Sequence, residues 1–348
     1  MGHLSPVAVS ANPGAGVASR RSCRNHAGVT NGRRAIGLDI GGTKVAGAIV
    51  GEDGTVHAEL RRNTPDTSDA STMNDLLRGM VEELRADGAG AGVCAIGVGA
   101  AGTVEWPVGR IRWAPNNNYE NWDLRADLEA ATGLPTVVDN DGNVAGLAEA
   151  RLGETRNDDM VLLTVGTGVG AGIVLGGKIY RGPHGLGAEV GHMNVNPEGP
   201  LCGCGNHGCL ESMASGTALT RMGRSAAAHD PDGMIAGLAR EAGGEVTGQH
   251  VTMAAMAGDR TAQSLFQRLG RALGVGIASI NAIFEFEVVL IGGGLVDAGE
   301  LLLGPARRAA REFHYGPPGV RPIPPVVPAT YKGDAGKIGA GLLALEEL

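Results

Sequence analysis

Arg34-Ala-Ile-Gly-Leu-Asp39-Ile-Gly41-Gly42-Thr43-Lys44-Val-Ala-Gly-Ala-Ile-Val50 places short apolar runs on either side of a glycine turn, and Met160-Val-Leu-Leu-Thr-Val165-Gly166-Thr167-Gly168-Val-Gly-Ala-Gly-Ile-Val-Leu175 repeats the arrangement. Each reads as strand, tight turn, strand. A third strand follows both times, after Gly51-Glu-Asp-Gly54 in the first and after Gly176-Gly177 in the second. Gly41 and Gly166 lie 125 positions apart, so the recurrence predicts a duplicated α/β layout. One glycine hairpin from each half would then face a cleft between them. Working outward, Thr72 to Ala86 has helical spacing through Leu76, Leu77, Met80, Val81 and Leu84, with a strand at Val93 to Val98. Arg260 to Phe284 is again helical, and the buried strand Val288 to Ile291 runs into Gly292-Gly293-Gly294. Pro317 to Pro328 reads as a loop or edge segment, and Gly336 to Leu348 as a closing helix.

The 348 residues suffice for two cores, and a disulfide scaffold is excluded at this length. With 29 basic against 37 acidic residues the net charge is −8, and no basic block lies beyond the first 34 positions, so no nucleic-acid partner is expected. The uncharged run Met160 to Gly177 has the length of a membrane span but contains six Gly and two Thr, so no membrane partner is expected either. Residues 1–33, rich in Arg, Gly, Ser and Pro without an acid, read as a disordered extension.

Gly97-Val-Gly-Ala-Ala-Gly102 fits a dinucleotide fingerprint in spelling only, because it runs toward Pro107 and not into a helix. No Gly-x-x-x-x-Gly-Lys-Ser/Thr loop is present. The two hairpin turns are better candidates for anionic oxygens: Gly41, Gly42, Thr43 and Lys44 in one and Gly166, Thr167 and Gly168 in the other offer backbone N–H groups and a hydroxyl each. Asp39, opening the first turn, could hold a metal-bound water beside a triphosphate. His192, Cys202, Cys204 and Cys209 supply one imidazole and three thiolates within 18 positions, a closed set suited to structural Zn²⁺. His207 reads as a solvent-facing loop residue outside that set.

Asp39-Ile-Gly-Gly-Thr43, Gly99-Ala-Ala-Gly-Thr-Val104, Ala114-Pro-Asn116, Asn140-Asp141, Glu189-Val-Gly-His192 and the Cys202 to Glu211 loop, in this order, resemble the ROK family of sugar kinases. The resemblance covers residues 35 to 348 and is nearest to the ATP-dependent bacterial glucokinases of that family. It implies duplicated actin- and hexokinase-like (ribonuclease H-like) α/β domains with an interdomain cleft. The expected division is a small domain, 34–140, completed by a C-terminal helix, 333–348, and a large domain, 141–332, with the zinc loop.

By the same resemblance, Asp141 is the general base that takes the proton of a sugar 6-hydroxyl as it attacks the γ-phosphate of ATP. Asp139 is the nearby alternative. Asn116, Asn140, Asp141, Glu189, His192 and Glu211 read the sugar, while Asp39, both hairpin turns and Gly292, Gly293 and Gly294 hold the nucleotide with Mg²⁺. The expected acceptor is glucose, with a related amino sugar (glucosamine, kanosamine or N-acetylmannosamine) as the alternative. A noncatalytic sugar-responsive regulator of the same family is the remaining reading, although the stretch before the first strand is too short for a DNA-binding domain. A cytoplasmic homodimer or homotetramer is expected. Gly142-Asn-Val-Ala145 departs from the Ala-Asn-Ala-Ala that many members carry after Asn-Asp.

Overall fold

A computed structural model of the chain describes residues 32–65, 69–86, 88–114, 119–317 and 319–348. Most of the expected N-terminal extension, and Asn116, lie outside the described residues. The first meander is β1 (Arg34–Ile40), β2 (Lys44–Gly51) and β3 (Val56–Asn63), followed by α1 (Ala70–Ala86) and β4 (Val93–Ala100). A small antiparallel insert, β5 (Thr103–Glu105), β6 (Arg110–Ala114) and β7 (Tyr119–Trp122), precedes α2 (Leu124–Thr132), β8 (Thr136–Asn140) and α3 (Asp141–Leu152). The second meander is β9 (Met160–Val165), β10 (Val169–Leu175) and β11 (Lys178–Ile179). A helical excursion, α4 (Leu210–Ala214), α5 (Gly216–His229), α6 (Met234–Glu241), α7 (Gly248–Met256) and α8 (Arg260–Phe284), returns the chain to β12 (Val288–Gly292). The chain then closes with α9 (Glu300–Glu312), β13 (Val326–Pro328) and α10 (Ala335–Glu347).

Two five-stranded sheets result, in the orders β3-β2-β1-β4-β8 and β11-β10-β9-β12-β13. Their directions match strand for strand: an antiparallel meander whose first strand continues into two parallel partners. The repeat inferred from the glycine turns is therefore a repeat of the whole sheet. The Pro-rich stretch supplies β13, an edge strand, where a missing N–H is tolerated.

Period-two alternation sorts each strand between two environments. In β1, Ile36, Leu38 and Ile40 join Met73, Leu77 and Met80 of α1 in an outer core, while Ala35 faces inward. The inner core lies between the sheets and is filled by α3 and α10. These two helices approach so closely that side chains have no room. A Cβ on Gly37 would stand 1.8 Å from the Lys337 carbonyl oxygen, and one on Gly97 would stand 1.8 Å from that of Ala340. On the other sheet, a Cβ on Gly172 would stand 2.1 Å from the Gly142 carbonyl oxygen. Where the helices meet, one on Gly339 would stand 1.7 Å from the Val144 carbonyl oxygen.

Polar ties hold both helices in place. Lys337, 1% exposed, pairs its Nζ with Glu59 on β3 and with Asp334 at 2.7 Å. The fully buried Glu149 of α3 accepts the N–H groups of Thr330 (3.0 Å) and Tyr331 (2.7 Å), in the segment that leads into α10. Among the described residues no helix is long and apolar enough to cross a membrane.

These contacts set opposite expectations for two glycines. Gly339→Ala should destabilise by about 1–3 kcal/mol or more, because backbone must move to admit the methyl group. Gly79→Ala, on the exposed side of α1 with nothing within 4 Å, should stabilise by roughly 0.5–1 kcal/mol. Urea unfolding of both variants checks the contrast.

Candidate active site

Carboxyl ends of parallel strands gather the polar residues. Asp39, Gly99 and Asp139 stand side by side in register on β1, β4 and β8. Just beyond, Asn140 caps α3, its side-chain oxygen accepting Gly142 N–H at 2.8 Å and Asn143 N–H at 3.3 Å. Such a cap stabilises a helix start by about 1 kcal/mol. Asp141 therefore begins α3 as its first helical residue, and its Oδ1 accepts Gly142 N–H at 2.9 Å. Gly142 itself has no room for a methyl group, since a Cβ would lie 2.5 Å from the Ala171 carbonyl oxygen.

The two neighbouring acids have different environments. Asp139, 1% exposed, accepts Asn143 Nδ2 and Asn140 N–H on Oδ1, both at 2.8 Å, and Arg181 Nε on Oδ2 at 2.7 Å. Its oxygens are committed. Asp141 is partly open, meets no cation within salt-bridge distance among the described residues, and is held above the usual carboxylate range, chiefly by desolvation. Of the two, only Asp139 is held by a cation among the described residues.

Across Gly99 lies Asp39. A Cβ on Gly99 would stand 2.5 Å from Val144 Cγ2 of α3, and its position lies 3.6 Å from Asp141 Cα and 3.8 Å from Asp39 Oδ1, which places both acids beside this strand. Among the described residues the Asp39 carboxylate accepts no hydrogen bond, and it lies over the first turn of α10, where a Cβ on Gly336 would come within 2.5 Å of it. Burial, reinforced by the charge of Asp141 and opposed by Lys337 and Arg61, pushes its pKa up to about 7. An unpartnered carboxylate of this kind suits a hydrated divalent cation.

Both hairpin turns are stitched through their carbonyls. Gly41 and Thr43 carbonyls accept Thr64 Oγ1 (2.9 Å) and Thr64 N–H (3.0 Å). Gly166 and Thr167 carbonyls accept Gly216 N–H (2.8 Å) and Thr217 Oγ1 (2.8 Å) from the start of α5. Among the described residues the N–H groups of Gly42, Thr43, Thr167 and Gly168 are left without backbone acceptors, as an anion cradle requires. Gly293 requires glycine twice over, with φ 80° and a would-be Cβ 2.5 Å from the Val165 carbonyl oxygen. That contact brings the Gly292–Gly294 turn beside the second hairpin. Lys44 is exposed at the start of β2.

The remaining acids converge from the second half of the chain. Glu189 keeps much of its surface open, yet desolvation of its carboxyl raises its pKa, opposed by His192 and reinforced by Asp141 and Glu211. It follows Ala188, a non-glycine residue at φ 68°, a conformation that costs about 1–2 kcal/mol. Glu211 Oε2 accepts Val169 N–H at 3.0 Å and sits where a Cβ on Gly168 would be, 2.3 Å away. Glu211 and the second hairpin turn are thus one packed unit.

His192, Cys202, Cys204 and Cys209 bring their ligand atoms within 4.8 Å of one another. Cys204 Sγ and Cys209 Sγ are 3.6 Å apart, and His192 Nδ1 is 3.7 Å from Cys202 Sγ. A tetrahedral ion with sulfur legs of about 2.3 Å has edges of about 3.8 Å, so the donors fit Zn²⁺ in both chemistry and spacing. The Asn206 backbone N–H draws the Cys204 thiol down to about 7, whereas burial pushes Cys209 up to about 12. A dication favours the thiolate at all three positions. His207 lies outside the cluster, exposed, with Nδ1 3.1 Å from the Gly199 carbonyl oxygen.

Asp39, Asp141, Glu189, His192 and Glu211 are therefore linked by short contacts or mutual electrostatic influence, while Asn116 lies outside the described residues. A recess of about 550 Å³ behind the cysteine loop is lined by none of these five. Sequence reasoning did not reach Arg181 or Asn143. Asn143 was legible one helical turn after Asp139, but Arg181 carries no local signal, because its partner is 42 positions away.

The ROK family profile matches residues 35–347. A glucokinase from Streptomyces coelicolor is 37% identical over 314 residues, 89% of this chain and 97% of the relative. An N-acetylmannosamine kinase from Escherichia coli is 33% identical over 320 residues, 90% of this chain and 98% of the relative. Among solved structures, a ROK family glucokinase from Streptomyces griseus in complex with glucose and AMPPNP superposes with a TM-score of 0.79 at 38% identity, covering 90% of this chain and 99% of that one.

Two outcomes follow from the geometry. Purified protein should hold about one zinc per chain, and Cys204→Ser should lose it by elemental analysis. Asp39 is a carboxyl whose folded pKa lies above its unfolded value, so ionising it costs stability progressively from about pH 4 to about pH 7. Asp39→Asn should match the parent near pH 4 and exceed it in stability at pH 8, by an amount on the order of a few kcal/mol, as denaturation at both pH values will report.

Proposed function

Because the chain belongs to the ROK family, and its likeness over 89–90% of its length to kinases of that family makes it a sugar kinase that transfers phosphoryl groups to an alcohol, we propose that it carries the γ-phosphoryl group of ATP to the 6-hydroxyl of glucose. The observation that carries this reading is the position of Asp141. It is an acid without a cationic partner among the described residues, at the start of a capped helix, and it acts electrostatically both on Asp39, beside the β1–β2 turn, and on Glu189.

In this reading Asp141 accepts the 6-hydroxyl proton as the oxygen attacks phosphorus, an assistance worth about 10²–10⁴-fold. Its raised proton affinity suits the task, because a carboxylate in the ordinary range is a weaker base. Asn140, Glu189 and Glu211 offer donors and acceptors to the ring hydroxyls. His192 turns Nδ1 toward Cys202, which leaves its other ring nitrogen for a sugar oxygen. The triphosphate would lie along the two hairpin turns, with the adenosine end toward Gly292–Gly294. Asp39 would face the accompanying Mg²⁺, which when bound neutralises charge on the transferred group. Support for the donor and acceptor comes from the Streptomyces griseus relative, crystallised with glucose and AMPPNP. We further propose that 34–140 with 333–348 and 141–332 act as two lobes that close on the substrates and exclude water.

The N-acetylmannosamine kinase relative favours a second acceptor, an amino-hexose, at the same site. Coupled ADP release with a panel of glucose, mannose, glucosamine, kanosamine and N-acetylmannosamine separates the two readings. Asp141→Asn should lower turnover by at least ~10² while sugar affinity stays within a few-fold, since the amide keeps shape but cannot take the proton. Turnover above about a tenth of the parent value would defeat the base assignment. Glu211→Gln should raise the sugar KM more than it lowers kcat.

A further inference from the structure

Arg181 follows β11 in the second sheet, yet its guanidinium reaches the first. Nε donates to Asp139 Oδ2 at 2.7 Å, and the group lies 3.8 Å from the ring centroid of Trp106, in the insert between β5 and β6. The pair is deep, with side chains 13% and 2% exposed. A carboxylate at that depth persists only when its charge is matched. Asp139 in turn holds Asn143 Nδ2 and Asn140 N–H, the groups that shape the turn presenting Asn140 and Asp141. On its other side Arg181 anchors a loop: its carbonyl accepts Gly187 N–H at 2.9 Å, two residues before Glu189. Gly185 of that loop packs on Trp106, with a would-be Cβ 2.5 Å from Trp106 N. One residue thus touches both parts: its side chain holds Asp139 behind the helix start bearing the proposed base and lies on Trp106, while its backbone carbonyl holds the loop that leads to Glu189.

The geometry points to Arg181 as a positioning residue for phosphoryl transfer, acting through the charge of Asp139. This role rests on the kinase reading above. Without the guanidinium, Asp139 is an uncompensated buried carboxylate. It must then either take a proton or pull away from Asn140 and Asn143 toward water, and either change moves the turn that carries Asp141. A shift on the order of 1 Å in a reacting group can cost about 10²-fold in rate. Neutralising Asp139 should remove the need for Arg181, because an amide oxygen still accepts from Asn143 and Asn140 and leaves no unmatched charge.

The test compares four full-length proteins: wild type, Arg181→Met, Asp139→Asn and the double variant. Methionine keeps an apolar body against Trp106 while removing the charge. Steady-state kcat and KM are measured for the best hexose, with melting temperatures alongside. Arg181→Met should lower kcat by more than about tenfold, with a larger effect on kcat than on KM. In the Asp139→Asn background the same replacement should change kcat by less than about threefold, a rescue that loss of packing alone does not produce. Arg181→Met with kcat within twofold of wild type overturns the role, as does an Asp139→Asn protein that is active alone but inactive as the double variant. If Arg181→Met fails to fold, the comparison of Asp139→Asn with the double variant decides by the same criterion. Absence of hexose phosphorylation by the wild-type protein would overturn the kinase reading itself, which differences among the variants would not.

Discussion

Backbone-to-backbone contact between the sheets and the two helices packed between them is the constraint on which the structure depends. Gly37 and Gly97 let α10 settle on the first sheet, Gly142 and Gly172 let α3 settle on the second, and Gly339 lets the helices touch. Interiors are packed to crystal-like density, so a methyl group at any of these points displaces an element and not merely a side chain. Each helix leaves the last strand of one sheet and packs on the other, so the halves of the duplicated fold are interlocked through α3 and α10. Because Asp141 is the first residue of α3 and Asp39 faces the first turn of α10, the same contacts position both acids.

The arrangement gathers negative charge at a cost to stability. Asp39, Asp141 and Glu189 are all held above the ordinary carboxylate range, and in each case desolvation is the leading cause. No arginine or lysine closes on any of the three among the described residues, whereas Asp139, Glu59 and Asp334 nearby are all paired. Structural acids have their cations built into the fold. In the proposed function, the acids left without one would meet positive charge and donors from a metal-bearing phosphate chain and a hydroxyl-rich sugar.

The cysteine loop joins these parts. Its histidine and thiols draw Met193 to Leu210 into a compact loop, and Glu211 leaves it directly to hold the second hairpin turn through Val169 N–H. In the proposed function, the carboxylate that would read the sugar and the turn that would cradle phosphate therefore share one packed segment, beside the His192–Cys209 cluster.

Interactions between residues close together along the chain are legible in the sequence. Alternation and glycine turns specified the meanders, spacing specified the cluster of His192, Cys202, Cys204 and Cys209, and the 125-residue recurrence specified the duplicated sheet. Each of these signals comes from interactions within a few residues or from repetition of them. Tertiary structure gave different environments to two acids that the Asn140-Asp141 motif ranked only by resemblance, because Arg181 arrives from the other sheet to pair with Asp139 and not with Asp141. It also decided which glycines make turns and which admit a helix, as with Gly97 against Ala340 or Gly172 against Gly142. Those distinctions depend on distances between elements far apart in the chain, and the composition of a local segment carries no record of what will be packed against it.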